Sequence, residues 1–576
     1  MVPDVSGLDK EFDYLAPERW ADIVDVGSLV RVELHNRRVA GWVVAADVEP
    51  PEGVVLREIT KVSSVGPSAE VIELARWAGH RWRGRLASIL KTASPDKMID
   101  LLPAPPAPAR VVPTDLADPV AALAAEAVSK PGVTVVRVAP DTDLLPFYAA
   151  AASCGDAIIV MPGVADARFN GARYRRAGGR IALAGRDWAL GATGGLVTGA
   201  RSAVWATVPQ LGCMLVIDEH DESLQEERNP TWHARDVAVE RARRAGVPCV
   251  LVSAAPSAAA IGAADRVLSL SRSDERAGWP LVQVVDRRQE DPGKPGLFSS
   301  ELVDLVRSPG RVLCVLNRKG RAQMLACASC GELVRTEDGN QLMAEMDGEL
   351  VSFSGERRPL VCANCSGTKL KRLRLGVNRA REELEVLAGE PVGELTAETS
   401  AADIERLRIM VGTEALLHRV HVADAVCFLD FDQELLATRY RTAEQAMGLV
   451  VRAARLVGSR AGGGRIMLQT RTPEHRVVTA AVRSDTDRFV TEELAIRQSM
   501  GFPPYGALAE VSGAAAAELL EPLVSGPGVG EVNVMGPRPD GRYLVRAADP
   551  DTLADVLCSL ERPKGRVRVA IDPPRV

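Results

Sequence analysis

Met214-Leu-Val-Ile-Asp-Glu-His-Asp221 decides the fold of the central part of the chain, because it joins a short apolar run to a cluster of acidic residues. Similar runs alternate with alanine-rich segments on both sides of it: Val133–Val138, Ala157–Met161, Arg180–Leu183 and Pro248–Ser253. This alternation is typical of buried strands in a parallel α/β sheet. Such sheets bind ligands at the carboxyl ends of their strands, so Asp218 and Glu219 form a candidate nucleotide site that would hold Mg²⁺ and orient water. A solvated acidic loop is the alternative, and composition alone favours it.

The phosphate loop is the test of that candidate site. A nucleotide hydrolase carries G-x-x-x-x-G-K-[ST] after the first strand of such a sheet, where backbone amides and the lysine hold phosphates. Here the first strand is followed by Ala139-Pro-Asp-Thr-Asp-Leu-Leu-Pro146, which has no glycine-rich turn and no lysine. Its carboxylates, Asp141 and Asp143, would repel a nucleotide triphosphate at short range. The sequence therefore predicts a degenerate nucleotide site.

The 576 residues are too many for one hydrophobic core, and the patterning divides them into segments. Residues 1–100 are predicted to be a β-rich unit, in which Leu29–Leu34 and Val39–Val44 form a hairpin around His35–Arg38 and a helix follows over Val71–Leu90. Residues 101–114 are a proline-rich linker. Residues 115–295 and 296–475 are predicted to be two α/β units, and residues 476–576 a small α+β domain. The second α/β unit is predicted from Arg311–Gly320, Ile409–Glu414, Ala425–Asp430 and Arg465–Thr470.

Two C-x-x-C motifs, Cys327-Ala-Ser-Cys330 and Cys362-Ala-Asn-Cys365, carry the most specific local signal. Two such pairs supply the four thiolates that a tetrahedral Zn²⁺ prefers, so we expect a zinc insert over residues 325–372. Two disulfides or four separate thiols are the alternatives, and no secretory context supports them. A catalytic zinc is disfavoured, because four thiolates leave no position for water.

Composition sets limits on location and partners. No apolar run of about 18 residues is present and the first residues lack a signal-peptide pattern, so we expect a cytoplasmic protein without a membrane anchor. The formal net charge is −6, which means that any DNA contact must come from local basic patches. One such patch is the run from Arg357 to Arg381, which has eight basic residues and no acidic one.

Several motifs, in their order and spacing, resemble the PriA family of bacterial replication restart helicases over nearly the whole chain. These motifs are Phe12–Leu15, Asp218–Asp221, Pro230–Asp236, Ser253–Ser257, Leu316–Gly320, the cysteine pairs, Glu493–Arg497 and Phe502–Tyr505. The resemblance implies a multidomain α/β fold: a β-rich N-terminal DNA-binding domain, two degenerate RecA-like helicase lobes, an inserted four-cysteine zinc knuckle and a small α+β C-terminal domain.

The motifs that differ from the family pattern are those that the family uses for ATP hydrolysis. The phosphate-loop Gly-Lys-Thr is absent, the Asp-Glu-Glu-His motif is one residue short, and Ser-Ala-Thr reads Ser253-Ala-Ala255. The Gly-Thr-Gln motif becomes Gly412-Thr-Glu414, and the arginine-finger helix is altered over Val451–Arg460. An arginine finger contributes roughly 10³- to 10⁵-fold to the rate. The chain therefore resembles helicase-inactive relatives, and we expect no enzyme activity.

The resemblance also implies a set of DNA-binding residues. The first domain resembles the domain that accepts the 3′ end of the leading strand, through Phe12, Asp13, Tyr14 and Arg57. Core packing is the alternative role of the two aromatic rings. A family glycine that approaches the DNA closely falls at about His35, and the strand that precedes the motif in the family is missing, as an incorrect start codon would explain. Trp232 and Arg235, in the motif Pro230–Asp236, are further candidate contacts to DNA. In the basic run beside the cysteines, the candidates for contact with DNA or a partner are Lys369, Lys371, Arg372 and Arg374, and a solvated face is the alternative.

Only the outer four of the family's eight zinc cysteines remain, since Val334–Gly339 replaces the inner pair, and we expect one zinc per chain. Together these features favour a monomeric, nucleoid-associated scaffold that binds branched or forked DNA and recruits single-stranded DNA-binding protein and other primosome proteins. An active ATP-dependent 3′-to-5′ helicase with an atypical nucleotide site is the alternative. A zinc-stabilised protein without a role on DNA is a third hypothesis.

Overall fold

The computed structural model describes residues 1–574 except for residues 9, 51–52, 106–111, 113–114, 289–296, 318–324, 331–333, 335, 337–342, 347, 353–355, 373–376, 396–398, 400–405, 438, 526–529 and 531. The chain forms two compact units. The first comprises Met1–Glu275, Arg439–Arg441 and Thr486–Val576, and the second comprises Arg276–Thr438 and Thr442–Asp485. Over the described ranges, every helix is too short or too polar to cross a membrane. Much of the predicted linker over 101–114 lies outside the described residues.

The first unit opens with an antiparallel sheet in the strand order β1-β3-β2-β4. Its strands are β1 (Val2–Pro3), β2 (Leu29–Leu34), β3 (Arg37–Trp42) and β4 (Lys61–Ser64). The predicted hairpin is present, but its turn is only His35-Asn36, with φ of 46° and 59°. Positive φ at both central residues is typical of a tight type I′ turn, so Arg37 and Arg38 belong to the strand. The expectation that no strand precedes the Phe12 motif is wrong, because Val2 pairs with Trp42.

Two helices, α1 (Ala69–Arg81) and α2 (Leu86–Ala93), follow this sheet. The Ser68 hydroxyl caps α1 by accepting from the Val71 amide at 3.5 Å. The inward side of α1 includes Val71, Ile72 and Leu74, all fully buried. The single predicted helix over Val71–Leu90 is therefore two helices, separated at Arg83, where φ is 45°.

A seven-stranded parallel sheet forms the middle of the first unit, in the order β11-β5-β10-β9-β6-β8-β7. Its strands are β5 (Gly132–Arg137), β6 (Asp156–Val160), β7 (Ile181–Leu183), β8 (Leu196–Gly199), β9 (Leu211–Ile217), β10 (Pro248–Ser253) and β11 (Arg266–Ser269). The helices are α3 (Pro119–Ala127), α4 (Leu145–Ser153), α5 (Val164–Arg176), α6 (Trp188–Gly191), α7 (Ala234–Ala245), α8 (Ala258–Ala263) and α9 (Arg272–Ala277). The predicted parallel sheet is confirmed, and β9 ends at Ile217, immediately before the acidic cluster.

The second unit contains a six-stranded parallel sheet in the order β12-β22-β21-β13-β20-β19. Its strands are β12 (Leu281–Asp286), β13 (Val312–Val315), β19 (Val392–Glu394), β20 (Ile409–Gly412), β21 (Ala425–Phe428) and β22 (Arg465–Thr470). The helices that accompany it are α10 (Ser300–Arg307), α11 (Val377–Ala388), α12 (Ala415–Arg419), α13 (Asp432–Leu435), α14 (Thr442–Val457) and α15 (Arg476–Arg483).

A small insert follows β13 within the second unit. It contains a two-stranded sheet of β14 (Leu325–Cys327) and β18 (Leu370–Arg372), and a three-stranded sheet of β15 (Met343–Met346), β16 (Glu349–Ser352) and β17 (Arg357–Pro359). Among the described residues of the insert, the buried apolar cluster consists of Leu325, Val334, Met343 and Leu350. So small a core indicates that the insert depends on another source of stability.

The C-terminal part of the first unit is an α+β segment, as predicted. It contains α16 (Thr486–Met500), β23 (Ala507–Ser512), α17 (Ala516–Ser525), β24 (Val532–Met535), β25 (Tyr543–Ala547), α18 (Pro550–Ser559) and β26 (Arg568–Ile571). The four strands form one antiparallel sheet. One continuous hydrophobic core includes Val71 of α1, Val216 of β9 and Leu557 of α18. The N-terminal, central and C-terminal parts of this unit therefore share their packing.

A buried ion pair joins α1 to α7 in the first unit. The Arg241 side chain is fully buried, and its Nε and Nη2 donate to the two carboxylate oxygens of Glu70 at 3.0 and 2.8 Å. Its Nη1 donates to the Val204 carbonyl at 2.6 Å. Loss of the carboxylate would leave a buried guanidinium without its counter-charge.

We predict that Glu70→Ala destabilises the first unit by about 2 kcal/mol, because the carboxylate is partly exposed and the full penalty of a buried pair does not apply. Thermal unfolding measures this as a lower midpoint. Glu73→Ala on the same helix is the matched control, since its exposed pair with Arg76 is worth about 1 kcal/mol or less. Equal losses in the two variants would contradict the prediction.

Candidate metal centre, nucleotide site and DNA-binding surface

The four predicted zinc ligands come together in the insert. Cys327 ends β14 and pairs with Leu370 of β18, which brings the two C-x-x-C turns to the same end of this ribbon. All four sulfur atoms lie within 4.8 Å of one another. The Cys327–Cys365 and Cys330–Cys362 Sγ distances are 3.4 and 3.6 Å. A tetrahedral Zn²⁺ with Zn–S bonds of about 2.3 Å needs sulfur atoms about 3.8 Å apart, so the arrangement suits a metal ion.

The surroundings of the sulfur atoms also fit a metal. A Cβ at Gly367 would lie 3.2 Å from the Cys327 Sγ and 3.3 Å from the Cys365 Sγ, so only glycine leaves this space to the thiolates. Backbone amides of Cys330 and Ser329 lower the pKa of the Cys327 thiol to about 6. This favours the thiolate form at Cys327. At Cys365 the Gly367 amide lowers the pKa, but hydrogen bonds to the Cys327 and Cys330 thiols outweigh it and raise the pKa to about 12, so these thiols share protons when no metal is bound. Most of the segment that replaces the inner cysteine pair lies outside the described residues.

The acidic cluster is at the predicted place, but its second residue is occupied. Glu219 is fully buried after β9, and its carboxylate accepts from the amide and the hydroxyl of Ser257, both at 2.7 Å. Arg235 Nη1 lies 3.4 Å from the same carboxylate. Ser257 in turn caps α8, because its hydroxyl accepts from the Ala260 amide at 3.1 Å. Glu219 thus holds the capping residue of α8 and is the counter-ion of Arg235.

Trp232 and Arg235, which the resemblance assigned to DNA binding, lie in the interior of the first unit. They are only 2% and 3% exposed. The Trp232 ring packs edge-on against Trp205 at 5.4 Å between centroids. Arg235 Nε donates to Asp236 at 2.8 Å; burial raises the pKa of that carboxyl, but the guanidinium outweighs burial and lowers it to about 2. Neither side chain presents a surface to a nucleic acid, so their assignment as DNA contacts is corrected to a structural role.

The first residues of α4, at the turn that would hold phosphates, have few backbone N–H groups available. The Leu145 amide at the start of α4 donates to the Asp143 carboxylate at 3.0 Å, and the next residue, Pro146, has no N–H. The amides of Phe147 and Tyr148 both donate to the Leu144 carbonyl. Phosphate binding at a helix N-terminus requires free backbone N–H groups. Here a protein carboxylate takes the place of the phosphate.

The altered arginine-finger helix corresponds to α14 in the second unit. Arg452 is buried there, and its Nε donates to the Leu417 carbonyl at 3.1 Å. This hydrogen bond and its burial fix the Arg452 guanidinium within the second unit.

The predicted 3′-end residues are accessible and lie close together. The Leu15 amide donates to the Arg57 carbonyl at 2.9 Å, which places the Phe12–Tyr14 motif beside Arg57. The Tyr14 hydroxyl donates to the Glu33 carbonyl at 3.1 Å, and its ring packs on the small core around Val30 and Val32. Tyr14 therefore has a structural role as well as a predicted binding role. The Phe12 ring is half-buried and belongs to no hydrophobic cluster of the described residues.

Asp13 and Arg57 differ in the interactions that their side chains make. The half-buried Asp13 carboxylate makes no hydrogen bond or ion pair with any residue that the structure describes, and the Met1 ammonium is near enough to interact with it electrostatically. Arg57 is exposed and lies 3.7 Å from Glu33 in a loose surface pair. His35, at the tip of the hairpin, is exposed. The motif thus offers one carboxylate that can accept a hydrogen bond and one exposed cation nearby.

The basic run beside the cysteines is partly accessible. Lys369 is exposed, and Lys371 and Arg372 lie on β18, two to three residues beyond it. Arg374 lies outside the described residues. Arg357 is exposed and pairs with Glu349 at 3.5 Å. These positions place basic residues next to the metal ligands, and their role in DNA binding stays a prediction.

An arginine-lined cavity was not predicted from the sequence. It has a volume of about 240 Å³ and is lined by Arg83, Arg85 and Arg562 together with Asn229, Cys558 and backbone of Gly79 and Gly84. No carboxylate of the described residues lines it, and burial together with repulsion from Arg562 lowers the pKa of Arg83. Its residues are hundreds of positions apart in the sequence, and no local motif marks it. The cavity is suited to an anionic group.

Comparison with known proteins agrees with the sequence motifs. Residues 1–95 match the family model for the PriA 3′ DNA-binding domain. The chain is 27% identical to replication restart protein PriA of Bacillus subtilis over 345 residues, which cover 55% of this chain and 43% of that protein. It is 27% identical to a probable replication restart protein PriA of Mycobacterium tuberculosis over 632 aligned positions, which cover 98% of this chain and 91% of that protein. These matches confirm the resemblance to the PriA family.

The extent of these matches differs among the relatives. The chain spans less than half the length of several PriA relatives. It covers 43% of the Bacillus subtilis protein and 47% of the Thermotoga maritima protein. Among solved structures, Saccharomyces cerevisiae Dbp5 bound to RNA and ADP BeF3 is 10% identical with a TM-score of 0.36, covering 67% of this chain and 94% of that one. The two parallel sheets themselves confirm the predicted α/β fold class.

We predict that the purified protein contains one zinc ion per chain, because one complete set of four thiolates is present. Cys362→Ser should lose the metal and unfold the insert, whose apolar core is too small to compensate. Gly367→Ala should weaken metal retention, since its Cβ would meet two ligand sulfurs. Metal analysis by mass spectrometry measures the stoichiometry.

Cys558→Ser is the matched control, because Cys558 is exposed and lies outside the cluster. It should keep the full metal content. Two zinc ions per chain, or none under reducing conditions, would contradict the prediction.

Proposed function

We propose that this chain, which resembles replication restart protein PriA over nearly its whole length, binds stalled or abandoned replication forks and recruits restart factors without hydrolysing ATP. The observation that carries the proposal is the Phe12–Tyr14 motif, whose Asp13 carboxylate is unpaired among the described residues of a 3′ DNA-binding domain. The protein would act as a monomer in the cytoplasm, at the nucleoid.

Chemistry supports the recognition of a DNA 3′ end at this motif. An aromatic ring such as Phe12 stacks on a terminal base, and stacking of this kind is tolerant of sequence. The Asp13 carboxylate accepts a hydrogen bond from the 3′ hydroxyl, which a carboxylate does well because it has acceptor positions only. Arg57 is close enough to the motif to neutralise a backbone phosphate.

Three features of the structure support the absence of ATP hydrolysis. The start of α4 is capped by Asp143, the Glu219 carboxylate is held by Ser257 and Arg235, and Arg452 is bonded inside its own unit. Each of them removes a function that phosphoryl transfer needs: a phosphate cradle, a group that orients water and a cation for the developing charge. An active 3′-to-5′ helicase would have to replace all three.

Recruitment of other restart proteins is the second part of the proposal. We expect single-stranded DNA-binding protein and other primosome proteins as partners. The arginine-lined cavity is suited to an acidic segment of such a partner, because guanidinium groups bind carboxylates in bidentate geometry. The exposed Lys369, in the basic run beside the four cysteines, is a further candidate contact for DNA or a partner.

We predict that a fork with a free 3′ hydroxyl at its junction binds better than the same fork with a 3′ phosphate. The added dianion would meet Asp13 at short range, at a cost on the order of 1 kcal/mol, or about five-fold in Kd. Asp13→Ala should remove this distinction and lower the affinity only in part, because backbone contacts remain. Fluorescence anisotropy with the two forks measures both effects.

Asp22→Ala serves as the control, since it removes an exposed carboxylate from the same domain and should keep the distinction. Equal binding of both forks by the wild-type protein would show that the domain does not read 3′ ends here. His35 at the hairpin tip, where the family has a glycine, would then be the first residue to change.

We predict that ATP hydrolysis does not exceed background with any DNA, because the phosphate cradle and the arginine finger are both lost. A malachite-green phosphate assay with and without forked DNA measures it. Asp218→Asn is the control for a contaminating ATPase, because phosphate release that persists in this variant does not come from the candidate nucleotide site. Turnover that responds to DNA and disappears in Asp218→Asn would refute the proposal and favour the helicase alternative.

A further inference from the structure

Helix α5 (Val164–Arg176) of the first unit has one buried side and one exposed side of unusual composition. The buried side consists of Ala167, Asn170, Gly171 and Tyr174. The other side, which we name the α5 arginine face, consists of the exposed residues Ala165, Arg168, Phe169, Arg175 and Arg176 and the half-buried Ala172. These residues recur at helical spacing, so they share one surface. The helix contains four arginines and a single acidic residue, Asp166, in a chain whose net charge is −6.

Two of these arginines are available to an external anion. Arg168 and Arg176 are exposed and form no ion pair with any described residue. Arg175 differs, because its Nη2 donates to the Ile181 carbonyl at 2.7 Å and lies 3.8 Å from Asp187. The face therefore presents two free cations two helical turns apart, with the small side chain of Ala172 between them. A polyanion is the partner that this charge pattern complements.

An aromatic ring lies within the same face. Phe169 is 57% exposed, and the Arg173 guanidinium lies 5.9 Å from its ring centroid. Arg173 itself is fixed by the Asp143 carboxylate, with Nη1 3.1 Å from Oδ1 and Nη2 3.2 Å from Oδ2. Because more than half of the ring is exposed, packing within the protein stabilises it little. An exposed aromatic ring between arginines is the combination that single-stranded nucleic acid uses, with bases on the ring and phosphates on the cations.

We infer that the α5 arginine face binds single-stranded DNA through base stacking on Phe169 and phosphate contacts to Arg168 and Arg176. Duplex DNA fits less well, because its bases are stacked on one another and a convex helix face cannot reach between them. The inference goes beyond the proposed function, since this surface needs neither a DNA end nor a fork. It gives the first unit a second, end-independent binding surface for DNA.

The test uses the full-length protein and a circular oligodeoxythymidine, which has no 3′ end, in fluorescence anisotropy at several salt concentrations. R168Q/R176Q should weaken binding at least 10-fold at low salt. It should also lower the slope of log affinity against log salt by about 0.7 for each phosphate that the variant no longer neutralises. F169A should weaken binding about 10-fold with the salt slope unchanged, because stacking carries no charge.

K564Q/R566Q is the matched control: it removes two exposed cations elsewhere in the first unit and should leave binding unchanged. Unchanged circular-DNA binding in both α5 variants would overturn the inference. The inference would also be overturned if polyglutamate displaced the DNA as well as unlabelled DNA does and F169A had no effect on binding. That outcome would indicate that the face binds an acidic protein. Discrimination between 3′-hydroxyl and 3′-phosphate forks should persist in the α5 variants, so failure of this inference is distinct from failure of the proposed function.

Discussion

The buried carboxylate of Glu219 is the constraint around which the first unit is arranged. A charged group that is fully buried must be paired. Here Arg235 neutralises the Glu219 carboxylate, Ser257 donates a hydrogen bond to it, and Arg235 also donates to the Ser257 hydroxyl. Arg235 is fixed in turn by Asp236 and lies at the start of α7. Burial lowers the pKa of the neighbouring His233 well below its usual range, so this interior histidine adds no positive charge. The Glu219 carboxylate therefore has a structural role in the packing of the first unit.

The loop between the acidic cluster and α7 is hydrogen-bonded to the C-terminal strand β26 and the residue that follows it. The Gln225 amide donates to the Asp572 carbonyl at 2.8 Å, and the Thr231 hydroxyl donates to the Ile571 carbonyl at 3.1 Å. Arg81 of α1 pairs with the Asp572 carboxylate at 2.8 Å. Segments from the two ends of the sequence therefore meet at a loop that begins with the acidic cluster. Changes to that cluster would disturb both terminal parts of the unit.

Sequence reasoning succeeded where the signal was local and periodic. Apolar runs such as Met214–Ile217 predicted the strands, and the spacing of the two C-x-x-C motifs predicted that the four cysteines come together. The sequence could not separate surface from interior for polar residues: Arg235 follows a family motif, but only its burial beside Glu219 shows its role. The two-residue strand β1 is too short for a pattern, and the turn at His35-Asn36 depends on φ angles that neither residue prescribes. Arg83 and Arg562 line one cavity only because the chain ends pack together.

The proposed loss of ATP hydrolysis changes what DNA binding must accomplish. A helicase uses hydrolysis to move and to release its substrate, whereas a scaffold depends on equilibrium contacts alone. Its affinity then has to be divided among several modest sites, so that salt, competing proteins or a changed DNA end can reverse it. The structure is consistent with such a division: Asp13 and Phe12 suit a DNA end, the α5 arginine face suits an unpaired strand, and the metal insert carries basic residues of its own. In a chain with a net negative charge, each contact must be local, and release from any one of them requires no chemical step.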